Sequence, residues 1–247
     1  QTATFIRYGH DSGVYRNLQA QASSQRLPAL QTRLKAELRS IFRADYWAQS
    51  LELLDKLGAL SCLHPSLTVD ADLWLQMHRV SRWQQCFADA LGKELEVEPW
   101  LARLEVLLAQ TEARLQIAEN LQLPPTSIQR LQQLQTVENL LLEKFQKGIR
   151  LRASLVYQTL QAYELPILLL VSVRHPQQIG THIWRYITQF IHVKPPISGH
   201  ELKRLGYPPG PLYRSILTDL THAVLDGYLV GTPAAITHYL EAHYPRS

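Results

Sequence analysis

The chain has 247 residues, of which 46% are hydrophobic and 19% charged, and its formal net charge is +4. This length and apolar share suffice for a sizeable core, so no disulfide or metal staple is needed to hold the fold. Its two cysteines, Cys62 and Cys86, are too few for a disulfide framework and lack the spacing of a zinc site, which favours a reducing, cytoplasmic setting. The mild basic excess suits an RNA-facing surface but is also common in proteins without one.

Neither a membrane span nor a signal peptide is predicted from the sequence. The longest apolar run, from Leu165 to Val173, is far shorter than the roughly 20 residues of a spanning helix and contains Pro166, so it is interpreted as a buried helix. The amino terminus has no basic segment followed by a long apolar stretch. The chain begins without Met, and we therefore expect it to have been cut from a longer protein whose catalytic part lies upstream.

Apolar periodicity predicts an all-α fold, because glycine is scarce and strand-like alternation is hard to find. Between Pro28 and Leu60, apolar residues recur at three- and four-residue steps with a break at Asp45, and Gly58 is placed to close the second helix in a left-handed conformation. The pattern predicts further helices over approximately residues 72–91, 100–121, 128–145, 154–163, 166–173 and 178–190.

A small module is predicted at the carboxy terminus. Lys194-Pro195-Pro196-Ile197 forms a stiff, extended boundary, and Ser198 is placed to cap a helix with Glu201 at the capping-box spacing. Gly206 ends that helix, a Pro/Gly corner follows, and a second helix over 212–225 ends at Asp226-Gly227. The resulting division is 1–60, the end of a neck and the first body helices; 61–193, a helical body; and 194–247, a helical tail module.

The corner Gly206-Tyr-Pro-Pro-Gly-Pro211 has a physical rationale for contact with an RNA backbone. Pro211 starts a helix whose free amides point towards Gly210, where no side chain blocks a phosphate. Lys203, Arg204 and Arg214 add positive charge nearby. The alternative interpretation, which the residues alone favour, is a tight structural corner between two helices.

Other polar residues have a functional and a structural interpretation. Arg33, Lys35 and Arg39 on the early helices are either phosphate contacts or solvated structural charges, and Arg33 is placed to pair with Glu37 one turn away. Asp70-Ala-Asp72 has the carboxylate spacing of a metal pair, but Asp72 falls where a helix N-terminus favours an acid, so the structural interpretation is preferred. No metal site is predicted, and His10-Asp11, His175, His182 and His192 are interpreted as ordinary core or surface residues.

Several motifs of the tail region occur in a characteristic order: Ser198-Gly199-His200-Glu201-Leu202, Leu205-Gly206, Pro209-Gly210-Pro211, Ile216-Leu217 and Leu225-Asp226-Gly227. This order resembles the carboxy-terminal pattern of the tRNA nucleotidyltransferases, the family of CCA-adding enzymes and bacterial poly(A) polymerases. Two earlier stretches agree in order and spacing. Phe5-Ile6-Arg7-Tyr8 with Ser12-Gly13-Val14-Tyr15 is similar to the segment after the catalytic domain in cyanobacterial-type members, and the region from Arg33 to His64-Pro65 is similar to the neck and body helices.

The resemblance implies that the complete protein transfers CMP or AMP from CTP or ATP to an RNA 3′ hydroxyl with Mg²⁺. In the family, a catalytic head carries a Gly-Ser helix start, an Asp-x-Asp pair that binds two Mg²⁺ ions, and a Glu-Asp-x-x-Arg element that selects the nucleotide. The Gly-Ser pair and the Glu-Asp-x-x-Arg element do not occur in this sequence. The chain is therefore expected to hold the acceptor arm and TΨC side of a tRNA, with the RNA 3′ end over an upstream head domain, and to be inactive alone.

Two rival functions remain. One is a helical interaction or assembly module that binds protein and never RNA, which an exposed apolar patch would favour over a continuous basic groove. The other is a self-sufficient enzyme that uses Asp70 and Asp72 as metal ligands.

Overall fold

A computed structural model describes residues 28–93, 95–145 and 151–245 of the chain. Within these ranges every regular element is helical and no strand is present, which confirms the predicted all-α fold. The motifs between Phe5 and Tyr15 and the His10-Asp11 doublet lie outside the described residues.

Twelve α-helices occur in the described ranges. In chain order they are α1 (Pro28–Arg43), α2 (Trp47–Lys56), α3 (Ala71–Leu91), α4 (Pro99–Leu108), α5 (Arg114–Asn120), α6 (Pro125–Lys144), α7 (Ala153–Leu160), α8 (Leu165–Arg174), α9 (Thr181–Arg185), α10 (Gly199–Arg204), α11 (Pro211–Leu225) and α12 (Pro233–His243). A short 3₁₀ turn covers Ala59–Cys62, and wider π-turns cover Pro176–Gly180 and Tyr186–Phe190 on either side of α9.

The chain forms two compact units. Unit 1 comprises Gln1–Lys144 with Leu165–Pro176, and unit 2 comprises Phe145–Glu164 with Gln177–Ser247. Both units are therefore built from two separate stretches of sequence. The division of the sequence at residues 60 and 193 remains a prediction.

Unit 1 is organised around α4, which packs against α1 and α3, while α8 packs against α3 and α6. Its core holds fully buried Phe42, Met77, Phe87 and Leu104. The apolar run predicted to be a buried helix is α8, with every residue from Ile167 to Val173 buried. Among the described residues no single helix is long and apolar enough to cross a membrane, and α7 and α8 reach that length only when taken together.

Several local features of the structure follow from nearby residues. Gly58 has φ +65° and precedes the 3₁₀ turn, so the left-handed conformation predicted there is present. Asp70 caps α3 by accepting a hydrogen bond from the backbone N–H of Leu73 at 2.7 Å. The two cysteines are free thiols, and burial raises the pKa of Cys62.

The single helix predicted over 100–121 is wrong, because the chain leaves helical geometry between α4 and α5. The hydroxyl of Thr111 accepts a hydrogen bond from the backbone N–H of Ala113 at 3.1 Å and pairs with the Ser66 hydroxyl at 2.7 Å. The guanidinium of Arg174 donates to the carbonyl of Ala109 at 3.2 Å. These side chains take over backbone groups that a continuous helix would have paired internally.

Unit 2 has a core of its own in the tail region. One cluster of buried hydrophobic side chains comprises Leu202, Tyr207, Ile216, Leu220, Leu229, Ile236 and Leu240. Helix α11 packs against both α7 and α10. Helix α12 was not anticipated from the sequence; it begins with Pro233 in its first turn and buries Ile236 and Leu240, one helical turn apart.

Candidate nucleic-acid interface

The corner between α10 and α11 is fixed at one end by hydrogen bonds and open at the other. Ser198 and Glu201 form the predicted capping box at the start of α10, with the Glu201 carboxylate accepting from the Ser198 backbone N–H at 2.7 Å. Gly206 has φ +88° and ends the helix, and the backbone N–H of Tyr207 donates to the carbonyl of Leu202 at 3.1 Å. The corner is therefore a preformed turn.

Tyr207 anchors the corner, whereas the residues after it face solvent. Its side chain is buried and its hydroxyl donates to the carbonyl of Tyr244 at 2.8 Å. Pro208, Pro209 and Gly210 are exposed, and a methyl group placed on Gly210 would meet no atom within 4 Å. The start of α11 is thus sterically accessible. The expected set of free amides is smaller than predicted, because Pro211 has no N–H and the backbone N–H of Tyr213 donates to the carbonyl of Gly210 at 3.0 Å.

The three basic residues predicted near the corner are exposed. Lys203 and Arg204 lie in the last turn of α10, and Arg214 lies in the first turns of α11. Arg204 is 3.6 Å from the Glu201 carboxylate, while no ion pair of the described part of the chain involves Lys203 or Arg214. Arg214 and Gly210 share one surface feature, which the sequence did not predict.

That feature is a groove of about 760 Å³ within unit 2, called here the α7–α11 groove. Its apolar lining consists of Tyr157, Val193, Pro195, Pro211, Tyr213 and Leu217. Its polar lining consists of Gln161, Gly210, Arg214, Thr218 and Thr221. None of these eleven residues is acidic, so the lining carries only positive charge.

The aromatic walls of the groove are held in place by neighbouring groups. The Tyr213 hydroxyl donates to the carbonyl of Tyr207 at 2.7 Å, which links the groove to the corner. The Tyr157 ring lies 6.0 Å from the ring of Tyr186 and 6.4 Å from that of His222, measured between centroids. Burial, with a smaller contribution from Tyr157, raises the pKa of Tyr186 to about 12, so this supporting phenol stays neutral at physiological pH.

The early basic residues that the sequence singled out lie on α1 of unit 1. Arg33 is exposed, whereas the Lys35 ammonium donates to the carbonyl of Gln122 at 2.8 Å. Arg39 pairs with Glu98 at 3.1 Å and lies over the ring of Trp100. Lys35 and Arg39 therefore have partners within unit 1, and their contact with RNA remains a prediction. No Arg33–Glu37 ion pair occurs in the described ranges.

The possible metal pair Asp70 and Asp72 does not fit a cation. Asp70 caps α3, and the Asp72 carboxylate accepts a hydrogen bond from the Gln76 amide at 2.7 Å. In the described residues no three His, Cys, Asp or Glu side chains come close enough to hold a metal ion. His175 instead contacts the Glu138 carboxylate at 3.2 Å, and His182 packs on the ring of Phe145.

Sequence reasoning missed the wall formed by Tyr157 and Gln161. A partial signal was present in α11, where Arg214, Leu217, Thr218 and Thr221 follow the three-, four- and seven-residue spacing of one helix face without an acidic residue. No comparable signal marks α7, because Tyr157 becomes part of the groove only through tertiary packing.

Comparison with known proteins gives a consistent result. The A-adding tRNA nucleotidyltransferase of Geobacter sulfurreducens is 26% identical to this chain over 204 residues, covering 79% of the chain. The resemblance to tRNA nucleotidyltransferases is confirmed. The fold is similar to that of the Thermotoga maritima CCA-adding enzyme complexed with tRNA, with a TM-score of 0.65 and 18% identity over 85% of the chain. It is also similar to a CCA-adding enzyme solved with ATP, with a TM-score of 0.63 and 19% identity over 87% of the chain.

The chain corresponds to only part of each of these proteins. It spans 23% of the length of the Geobacter sulfurreducens enzyme and 51% of each of the two solved chains. No family model matches the sequence. The similarity is consistent with a carboxy-terminal body and tail portion.

Proposed function

We propose that this chain is the body and tail region of a tRNA nucleotidyltransferase-like protein and that it binds tRNA without transferring nucleotides itself. The observation that carries the proposal is the open corner at Gly210. It adjoins a groove whose lining includes the basic residue Arg214 and no acidic residue. Two similarities support it: a curated relative is an A-adding tRNA nucleotidyltransferase, and a protein of similar fold was solved in complex with tRNA.

The proposed contacts divide between the two units. In unit 2, Lys203, Arg204 and Arg214 contact phosphates around the corner, where Gly210 leaves the start of α11 open. In unit 1, Arg33 is the candidate on α1, because Lys35 and Arg39 already contact the Gln122 carbonyl and the Glu98 carboxylate. Phosphate contacts of this kind position an RNA by shape and charge without reading its sequence.

The reaction of the whole protein is part of the same proposal. A head domain upstream of this chain would bind Mg²⁺ with ATP or CTP and extend the RNA 3′ end, while this region holds the acceptor and TΨC arms. Proteins of similar fold have been solved with ATP and with CTP, which supports nucleotide use by the complete protein of which this chain is a part. We assign no metal or nucleotide ligand to the residues of this chain.

A salt-dependent tRNA titration tests the binding proposal. The unsubstituted chain should bind tRNA with an affinity that falls steeply between about 50 and 200 mM salt. Replacing Lys203, Arg204 and Arg214 by Ala should reduce the slope of log binding constant against log salt concentration by about 2–3. The matched control replaces three exposed lysines of unit 1, Lys56, Lys93 and Lys144, which removes the same charge elsewhere. Equal slopes for the two triple variants would remove the corner from the RNA site.

Incorporation of labelled nucleotides tests the proposal that this chain does not transfer nucleotides by itself. The purified chain, supplied with Mg²⁺, ATP, CTP and tRNA, should leave the RNA 3′ end unextended. Measurable extension would contradict the assignment of catalysis to an upstream head.

A protein-binding module is the second candidate function. Tyr228 and Val230 follow α11 and are 69% and 68% exposed, which is high for large apolar side chains. Failure of the parent chain to bind tRNA at low salt, together with a defined stoichiometric complex with a protein, would favour this candidate.

A further inference from the structure

We propose that the α7–α11 groove receives one unpaired nucleotide of RNA, with its base inside the groove and its phosphate at Arg214 and Gly210. This inference rests on the proposed RNA-binding function and adds a specific subsite to it. It differs from backbone contact at the corner, because a base inserts only where it is not paired within a duplex.

The size and walls of the groove suit a planar aromatic base. Its volume of about 760 Å³ lies within the range of small-ligand pockets in proteins. Tyr157 and Tyr213 are half-buried, so each leaves part of its ring in the groove, and Tyr213 is tethered through its hydroxyl to the carbonyl of Tyr207. Aromatic walls of this kind bind any base by stacking, because every base has a π-face.

Polar groups lie where a base edge would need partners. Gln161 and Thr218 line the groove and are exposed, so an amide and a hydroxyl are available to donate or accept hydrogen bonds. Thr221 is already committed, because its hydroxyl donates to the carbonyl of Leu217 at 2.8 Å. Single-stranded RNA is ordinarily read through such contacts to splayed-out base edges.

The charge around the groove favours a nucleotide over an apolar or a basic protein segment. Arg214 belongs to the lining, and exposed Lys194 lies between two lining residues, Val193 and Pro195. No carboxylate among the lining residues would repel a phosphate. An apolar protein segment would leave Arg214 and Gln161 without partners, which is unfavourable at a closed interface.

Filling the groove tests the proposal in the full chain. Thr218→Trp adds a bulky ring to an exposed position inside the groove, and Ser215→Trp adds the same ring to an exposed position of α11 outside the lining. Thr218→Trp should weaken binding of single-stranded oligouridine by about tenfold or more, in line with the loss of a stacked base. Ser215→Trp should bind it like the parent, and both variants should bind a blunt-ended RNA duplex, which has no unpaired nucleotide, equally well.

Photo-crosslinking supplies a second readout that does not depend on a variant. Oligouridine carrying one 4-thiouridine should crosslink to peptides containing Tyr157 or Tyr213. Crosslinks confined to other peptides, or unchanged oligouridine affinity of Thr218→Trp, would overturn the groove proposal while tRNA binding stands. A parent chain that binds neither tRNA nor oligouridine would overturn both proposals, and one that binds tRNA but not oligouridine would overturn this one alone.

Discussion

The carboxylate of Asp226 accepts two hydrogen bonds from Ser154, one from its backbone N–H at 2.9 Å and one from its hydroxyl at 2.6 Å. Ser154 lies in the first turn of α7, whose N-cap residue, Arg152, makes no side-chain cap hydrogen bond. Asp226 therefore caps α7 from a position 72 residues away in sequence. The Asp-Gly pair that ends α11 thus also fixes the start of the helix that carries Tyr157.

Removing this remote cap should destabilise unit 2. Asp226→Ala leaves the Ser154 N–H and hydroxyl without their acceptor, and the expected loss is about 1–3 kcal/mol of unfolding free energy, as for hydrogen bonds to a charged group. Urea unfolding followed by far-UV circular dichroism measures the change.

Ser154→Ala is the matched control for that prediction. It removes the hydroxyl donor but keeps the backbone N–H bond to Asp226, so the expected loss is smaller, about 1 kcal/mol. A Ser154→Ala variant less stable than Asp226→Ala would contradict the prediction that losing both hydrogen bonds to Asp226 costs more than losing one.

The sequence predicted elements whose signals are local. The capping box of α10 and the left-handed Gly58 each depend on a few adjacent residues, and both are present. The break between α4 and α5 was missed because it depends on Ser66 and Arg174, which are distant in sequence from Thr111 and Ala109. The spacing of apolar residues carries no information about such distant partners, so it predicted one continuous helix across the break.

The buried pair of Glu105 and Arg130 should be intolerant of losing one partner. Their side chains are 2% and 5% exposed and approach to 2.6 Å, and the hydroxyl of Ser127 donates to the same carboxylate at 2.6 Å. Arg130→Met strands a buried carboxylate, so we expect a loss of about 3–5 kcal/mol in unfolding free energy. The double variant Glu105→Leu with Arg130→Met should recover much of that loss, which a double-mutant cycle would measure.

The surface pair of Lys56 and Glu52 provides the comparison. It has the same separation, 2.6 Å, but both side chains are more than half exposed. Lys56→Ala should therefore cost less than about 1 kcal/mol. If Arg130→Met and Lys56→Ala lowered the unfolding free energy by similar amounts, burial would not determine the cost of breaking an ion pair in this protein.

The candidate site was predictable only where it follows one helix. Arg214 and Gly210 lie within four residues of each other, and the Pro/Gly corner around them has a recognisable sequence pattern. Tyr157 precedes them by more than fifty residues and joins them because α7 packs against α11. The groove is therefore a property of the fold of unit 2, and no spacing rule could have indicated it.

Tyr213 should separate the stability of the corner from the function of the groove. Tyr213→Phe removes the hydrogen bond to the Tyr207 carbonyl but keeps the ring, so stability should fall by about 1 kcal/mol. Oligouridine affinity should stay within about twofold of the parent, because stacking needs only the ring. Tyr213→Leu should weaken oligouridine binding further than Tyr213→Phe does; equal affinities would argue against stacking at this position.

His182 should make unit 2 less stable in mild acid. Its ring packs against Phe145 at 4.7 Å between centroids, and its Nδ1 atom is buried with no hydrogen-bond partner among the described residues. Burial, with a smaller effect of Arg185, lowers the pKa of His182 below the ordinary value of 6.5. The unfolded chain therefore binds a proton more readily than the folded chain once the pH falls below that value.

Because the unfolded state takes up the extra proton, the unfolding free energy should decrease as the pH falls from about 7.5 to about 5.5. His182→Gln removes the titrating group and should flatten this dependence, whereas His200→Gln, at an exposed position of α10, should retain the profile of the parent. Glu138 does not contribute to the pH dependence of the unfolding free energy between these two pH values. Burial disfavours its charged form, but hydrogen bonds from His175 and Arg174 hold its pKa below 4.5, so its contribution is lost only in stronger acid. Parallel pH profiles for the parent and His182→Gln would show that His182 is not the group responsible.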